Sequence, residues 1–343
     1  MLSALRTYGA IAAKVRAMHG RMLSHEDWSR LCDIRDITGI VSFLRESPAY
    51  SQAVRQLPLG DINISALITA LRSQVRLEYE RLYYFASRSD KEYLVFLIYK
   101  SEYRMILGAL RRINAGKKYS YPYALADFYR ERGSVDFEAL KHAFDIPSLL
   151  SAVKGSIFEE VIAGFPVNPE TNLPDYASAS ILLENRYYSA VYSFLTKKYS
   201  GMGKKQLTAF IGLDADLLNI IHIIRLRQFF PASFSKVREL LIPVRYKLTS
   251  SQIDTLASAP TADAILAALQ TTSWRKYFAG ADVTDLERLY TRFMERFCVK
   301  QLLAATPTIC IPQAYLTLKE IEAERLIRLI ESVRYGVDPI KVL

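Results

Sequence analysis

The sequence lacks the features that mark a disulfide-rich or membrane-spanning chain. Its 343 residues include only three cysteines, Cys32, Cys298 and Cys310, and no two have CxxC spacing. So few cysteines, in an odd number, predict a reducing compartment and no disulfide framework. Gly and Pro number only 14 and 13, which favours helices over turn-rich β structure. The longest apolar runs, such as 93–99, are too short to cross a bilayer, so the chain is predicted to be soluble.

Signatures of catalytic and cofactor sites are also missing. The segment 200–205, SGMGKK, comes closest to a phosphate-binding loop, but it lacks the first Gly and the hydroxyl after the Lys. We predict that it is an exposed loop between helices. The four histidines are not at HExxH spacing, and His222 is predicted to be a satisfied core or partner-facing residue. The cysteines are predicted to be small core residues.

We therefore predict no catalytic residues, no cofactor-binding or metal-binding residues, no cofactor and no enzymatic activity. Acidic groups such as Glu159 with Glu160, and Glu320 with Glu322 and Glu324, are predicted to lie on solvated helix faces. An enzyme whose site is assembled from several parts of the chain stays open as an alternative, although the missing motifs argue against it.

Positive charge is present in excess but is not concentrated. The net charge of +10 divides into +6 for residues 1–115, +1 for 116–235 and +3 for 236–343. Such a spread predicts a solvated surface that faces an acidic partner. The charge and the 22 tyrosines also allow a helical scaffold or a nucleic-acid-binding protein. The nearly neutral middle third argues against the nucleic-acid alternative.

Half of the residues are hydrophobic, and their spacing is helical throughout. No segment shows a sustained alternation of apolar and polar residues, so we assign no sheet. The predicted fold class is all-α, with two or three compact units because 343 residues exceed one ordinary core.

Two sets of apolar positions recur three times along the chain. The first set repeats at constant offsets of 109 and 116 residues and predicts a short helix, a break and a second short helix. Its members are Trp28, Phe137 and Ile253; Leu31, Leu140 and Leu256; Ile40, Leu149 and Ile265; Val41, Leu150 and Leu266; and Leu44, Val153 and Leu269. Ser24 with Asp27 and Thr249 with Gln252 resemble capping boxes at the first helix, and Thr284 with Glu287 resembles one at a later, longer helix.

The second set lies near the end of each copy and has the i, i+3, i+4, i+7 spacing of a buried helix stripe. Its members are Tyr103, Leu217 and Ala323; Ile106, Ile220 and Leu326; Leu107, Ile221 and Ile327; and Leu110, Ile224 and Ile330. An acid precedes the stripe each time, as Glu102, Asp216 and Glu322. We interpret these acids as residues near a helix start that complement the helix dipole.

These recurrences predict three tandem helical repeats, over residues 1–115, 116–235 and 236–343. Breaks are expected at 116–122, at 166–174, and near Pro231 and Pro243. Copies that pack with one constant relation to each other produce a curved or ring-like body with pseudo-threefold character.

Several short motifs in this order resemble the C subunit of V/A-type (vacuolar/archaeal-type) ATPases, which is homologous to the d subunit of eukaryotic vacuolar ATPases. They are Tyr8–Ala10, Ala13–Met18 and Arg21–Leu23 at the start, Asp214–Ile221 in the middle, and Lys319–Glu322, Leu326, Arg334–Gly336 and Pro339 at the end. The sequence departs from the family at Glu324-Arg325, where Arg-Asn is frequent, and at Glu331, where a basic residue is frequent.

The resemblance implies a funnel-shaped, non-catalytic rotor adaptor. Such a protein sits on the cytoplasmic side of the membrane, peripheral to it and without a transmembrane span. Its partners are the central-stalk subunits and the membrane ring that carries the ions, and it transmits torque between them for ATP-coupled ion transport. The sequence does not determine whether the ion is a proton or sodium.

Overall fold

The computed structural model describes residues 2–117, 127–165, 167–168, 173–229, 233–304 and 306–339. Most of them are helical, which confirms the all-α prediction. In chain order the helices are α1 (Leu2–His19), α2 (His25–Asp33), α3 (Ile37–Glu46), α4 (Ser51–Val54), α5 (Ile64–Phe85), α6 (Arg88–Asn114), α7 (Asp127–Arg132), α8 (Phe137–Lys141), α9 (Ile146–Ala152), α10 (Glu159–Ala163), α11 (Tyr176–Lys198), α12 (Gly201–Phe229), α13 (Phe234–Leu240), α14 (Ser250–Ser258), α15 (Ala262–Leu269), α16 (Arg275–Phe278), α17 (Leu286–Leu302) and α18 (Cys310–Arg334).

Two short strands also occur, β1 (Val167–Asn168) and β2 (Leu173–Pro174), and they pair antiparallel. The prediction of no sheet missed this pair of strands. Two residues per strand are too few to produce an alternating pattern in the sequence.

The chain divides into two compact units. The first contains residues 1–87 and 291–343, and the second contains residues 88–290. The predicted repeat boundaries after residues 115 and 235, and the funnel-shaped, pseudo-threefold arrangement, stay predictions. The expected breaks around residues 116–122, 166–174 and 231 lie partly outside the described residues.

In the first unit, α18 is the central helix and packs against α1, α3 and α5. Its apolar face joins one buried cluster with the apolar faces of α2 to α5. The chain ends therefore meet in one core, because α18 near the end of the chain fills the space between helices from its beginning.

In the second unit, α11 packs along both α6 and α12. The short helices are seated at the sides of these long ones, with α8 and α9 against α6, and α14 and α15 against α12. The long helices bury the i, i+3, i+4, i+7 stripes, as the sequence predicts.

Nearly all of the recurrent apolar positions are buried. Leu44, Val153 and Leu269 are 0% exposed, and so are Leu110, Ile224 and Ile330 at the end of the second set. The exceptions are partly buried and are Trp28, Leu107, Leu150 and Leu266. Ser24 with Asp27 and Thr249 with Gln252 form the predicted capping boxes of α2 and α14.

The glycine-containing segment at residues 200–205 is not an extended loop. Gly201–Lys205 already belong to α12, and only Tyr199 and Ser200 separate it from α11. Gly201 has a φ of 58°, which is accessible to glycine at little cost and turns the chain sharply from one helix into the next. The prediction of an exposed loop is therefore wrong. The positive φ of Gly201 lets the chain turn within a few residues, so no longer loop is needed.

Within the described residues, Gly201–Gln228 of α12 is long and apolar enough to cross a membrane by length and composition alone. However, 83% of its most apolar window is buried inside the protein. Burial of this kind is typical of a core helix that is apolar on most sides. Polar residues such as Asp214 interrupt this segment, so it forms no long uninterrupted apolar run in the sequence.

The buried first-set positions give a direct test of the packing. Leu269→Ala should lower the free energy of unfolding by about 2–5 kcal/mol, since it leaves a cavity in a closed core. Leu303→Ala, at a position that is 78% exposed, is the control and should change it by less than about 0.5 kcal/mol. Urea denaturation followed by circular dichroism measures both. Equal effects would contradict the assigned burial.

Candidate functional site

The three recurrent acids form the most distinctive polar feature of the chain. Glu102, Asp216 and Glu322 lie in the middle of α6, α12 and α18 and not near a helix start. All three are buried, with exposures of 0%, 0% and 4%. The interpretation that they complement the dipole of their own helix is therefore wrong, and so is the solvated helix face predicted for Glu322. Each instead binds backbone N–H groups of another segment, and we call these contacts the acid joints.

Glu102 forms the first acid joint. Its carboxylate accepts hydrogen bonds from the backbone N–H groups of Ser134 and Val135 and, at 2.6 Å, from the Ser134 hydroxyl. Gly133 stands beside this joint, and a Cβ there would lie 2.8 Å from Glu102 Oε1 and 2.4 Å from the Phe137 ring. A larger residue at this position would therefore force the Phe137 ring or the Glu102 carboxylate to move.

Asp216 forms the second acid joint. It accepts from the backbone N–H groups of Tyr246, Lys247 and Leu248 at 3.2, 2.6 and 3.1 Å. One turn further along α12, Asn219 adds two more bonds to the same loop. Its amide donates to the Ile242 carbonyl at 3.0 Å, and its oxygen accepts from the Ile242 N–H at 2.8 Å.

Glu322 forms the third acid joint, in the first unit. Its Oε2 accepts from the backbone N–H of Leu23 at 2.8 Å. Its Oε1 lies 2.6 Å from Nζ of Lys319 one turn earlier on α18. This joint connects residues 299 positions apart and ties the beginning of the chain to its end.

In all three joints the bound segment immediately precedes the N-cap of a short helix. Those N-caps are Ser24 of α2, Asp136 of α8 and Thr249 of α14. Backbone N–H groups in a buried approach to a helix need acceptors, and the carboxylates supply them. The arrangement fixes a short helix onto a long one and is therefore a structural joint.

Burial changes the proton affinity of two of these acids. Loss of hydration raises the pKa of Glu102 above its ordinary value, and the hydrogen bonds from Ser134 and Val135 oppose that shift. Burial likewise raises the pKa of Asp216, against the hydrogen bonds from the 246–248 backbone. For both acids, burial destabilises the charged carboxylate by more than the hydrogen-bond donors stabilise it.

Lys319 lies at the centre of a buried polar group in the first unit, which we call the lysine cluster. The side chain is 1% exposed, and its Nζ lies 2.6 Å from Glu322 Oε1 and 4.0 Å from Glu78 Oε1. It also lies 3.9 Å from the centroid of the Tyr50 ring. One cation thus offsets two carboxylates in a site closed to water.

Glu78 is held by further donors in the lysine cluster. Gln74 donates to its Oε1 at 2.8 Å, and the Tyr315 hydroxyl donates to its Oε2. Burial, reinforced by the negative charge of Glu78, raises the pKa of Tyr315, so this hydroxyl keeps its proton and remains a donor. The cluster joins α5 to α18 by polar contacts inside an otherwise apolar core.

A second buried polar group lies in the second unit. Asp214 accepts from the hydroxyls of Tyr188 and Tyr290, each at 2.6 Å. Burial and the charge of Asp214 raise the pKa of both tyrosines. His222 is buried nearby on α12, with Nε2 3.0 Å from Glu184. Its Nδ1 has no hydrogen-bond partner among the described residues, so the position in the core is as predicted but the side chain is only partly satisfied.

The cysteines and the possible metal ligands are the remaining candidates from the sequence. Cys298 and Cys310 are buried, and burial raises the pKa of Cys310 to about 12, so it stays a protonated thiol. Within the described ranges, no group of three or more His, Cys, Asp and Glu side chains is arranged to hold a metal ion.

The fold defines the class of this protein, and its similarity to known proteins defines its family. The fold and the buried joints describe an all-α protein built from short helices fixed to long ones. Residues 11–342 match the family described as the ATP synthase (C/AC39) subunit. The chain belongs to this family, as the sequence resemblance indicated.

Three relatives are each named as the C subunit of an A-type ATP synthase. The protein from Thermococcus kodakarensis is 21% identical over 95% of this chain and 87% of its own length. That from Archaeoglobus fulgidus is 22% identical over 92% and 89%, and that from Methanosarcina barkeri is 23% identical over 83% and 75%. The similarity therefore extends over nearly the whole chain.

The raised pKa of Glu102 predicts a pH dependence of stability. The folded chain holds this proton more tightly than the unfolded chain, so the carboxylate costs stability above the folded pKa. This cost disappears as the pH falls towards the ordinary value of 4.5. The free energy of unfolding of the wild type, relative to that of Glu102→Gln, should therefore rise as the pH falls from 7 to 5. Urea denaturation at several pH values tests this, with Glu131→Gln on the exposed face of α7 as control. A difference that is constant or falls with decreasing pH would contradict it.

The lysine cluster predicts a large effect of removing its cation. Lys319→Met leaves Glu78 and Glu322 buried without their counter-charge and should cost about 3–5 kcal/mol. Arg72→Met is the control, because Arg72 forms a 3.6 Å pair with Glu324 in which both side chains are well exposed. That change should cost less than about 1 kcal/mol. Thermal and urea denaturation measure both, and similar losses would show that the cluster is not closed to water.

Proposed function

We propose that this protein is a non-catalytic rotor adaptor of a V/A-type ATPase. It links the central stalk to the membrane ring that carries the ions, and it transmits torque between them. It lies on the cytoplasmic side of the membrane, peripheral to it. The observation that carries the proposal is the match over residues 11–342 to the ATP synthase (C/AC39) subunit family.

The buried polar architecture supports this proposal. An adaptor between two partners must resist deformation when one partner turns and the other follows. Hydrogen-bonded carboxylates at Glu102, Asp216 and Glu322 fix short helices to long ones with directional contacts, which apolar packing alone does not provide. The three proposed repeats, 1–115, 116–235 and 236–343, each contribute one such acid.

Removal of the chain tests the function. A complex that lacks it should lose ATP-driven ion transport, whereas the detached catalytic head should still hydrolyse ATP, because only the mechanical link is gone. Both activities are measured with and without the chain, and adding the purified chain back is the control. An equal loss of hydrolysis in the isolated head would indicate a catalytic role. Undiminished ion transport without the chain would also exclude the adaptor.

A further inference from the structure

Helix α17 carries an unusual row of basic side chains on its exposed face. Arg292, Arg296 and Lys300 are all exposed and follow one another at i, i+4 and i+8. This spacing places them along one side of the helix over about 12 Å. We call this row, with Val299 and Leu303, the α17 stripe.

The opposite side of α17 explains why the stripe faces outward. Phe293, Met294, Cys298 and Leu302 are buried, with exposures of 5% or less. The Phe293 and Phe297 rings stack with centroids 6.3 Å apart. The orientation of α17 is therefore fixed by apolar packing, and the basic row is held in place on the other side.

The three cations have no ion-pair or hydrogen-bond partner within the described residues. Neighbouring charges on the same helix are already paired, since Arg288 lies 3.8 Å from Asp285 and Glu295 lies 2.6 Å from Arg325. Like charges four residues apart repel each other and weaken a helix. A row of three is thus an electrostatic cost that an anionic partner would remove.

The C-terminal end of the stripe is apolar. Leu303 is 78% exposed and Val299 is 37% exposed. Leu303 is the most exposed of the large hydrophobic side chains in the described ranges. An apolar contact beside a row of charges is typical of a protein interface, in which a buried anchor adds affinity and the charges fix the register.

We propose that the α17 stripe binds an acidic helix of a partner protein, one with Asp or Glu at i, i+4 and i+8 and an apolar residue beside Leu303. This inference rests on the proposed function, because the partner is taken to be a subunit of the same assembly. A helix fits better than an anionic membrane surface, because the stripe is one side chain wide.

Charge reversal tests the stripe. The triple variant Arg292→Glu/Arg296→Glu/Lys300→Glu is compared with Lys197→Glu/Lys205→Glu/Lys276→Glu, which makes the same charge change at exposed basic positions elsewhere. A third variant, Arg292→Lys/Arg296→Lys/Lys300→Arg, keeps the charge. The amount of each chain that co-purifies with a tagged subunit of the assembly is measured at about 150 mM salt, after circular dichroism confirms folding.

The stripe variant should be retained about tenfold less than the wild type, and the other two should be retained normally. Equal retention of all variants would overturn this inference and leave the proposed function standing. If the wild-type chain does not co-purify with ATPase subunits at all, the proposed function fails instead.

Cross-linking identifies the chemistry of the partner. A photoreactive residue at Val299 should capture a peptide with acidic residues at helical spacing, whereas the same probe at Tyr277, which is 41% exposed, should not capture it. Capture of a segment without such acids would overturn the proposal. Flotation with phosphatidylserine vesicles completes the test, since binding that the stripe variant abolishes would assign the stripe to a membrane surface instead.

Discussion

A buried carboxylate that accepts backbone N–H groups is the interaction on which this structure depends. The interior of a helix uses its own N–H and C=O groups in its ladder, so only side chains can bind another segment. Asp216 does this for three successive N–H groups, at 246–248. Burying the charge is costly, but the alternative is a set of buried donors without acceptors. The joint therefore determines where each short helix begins and against which long helix it packs.

The sequence predicts the local part of this design well. Helical periodicity identifies the buried stripes, and short-range capping signals identify the starts of α2 and α14. The recurrence of Glu102, Asp216 and Glu322 was also visible, but their role was not. Their partners lie 32, 30 and 299 residues away, and neither periodicity nor capping rules extend so far. A recurrent acid directly before a buried apolar stripe is the available signal, because burial of a charge demands a partner.

The lysine cluster and the start of α17 could not be predicted from the sequence either, because both depend on tertiary packing. The lysine cluster combines Glu78 and Lys319, which belong to helices at opposite ends of the chain. The predicted capping box of Thr284 with Glu287 is wrong, since Asp282 caps a 3-10 turn over Val283–Asp285 and α17 begins after it at Leu286. In each case several local choices are compatible with the sequence, and tertiary packing selects one of them.

The proposed repeats share their interiors but not their surfaces. The long helix α5 exposes Leu77, Tyr84 and Phe85, whereas α17 exposes the three cations of its stripe. Interior positions are constrained by close packing, so copies of one unit retain the same buried pattern. Exposed positions carry no such constraint and can diverge to suit different neighbours. A body made of like parts can thus present a different face from each part. The adaptor proposed above would use such differences, because each of its two partners must recognise its own surface on the chain.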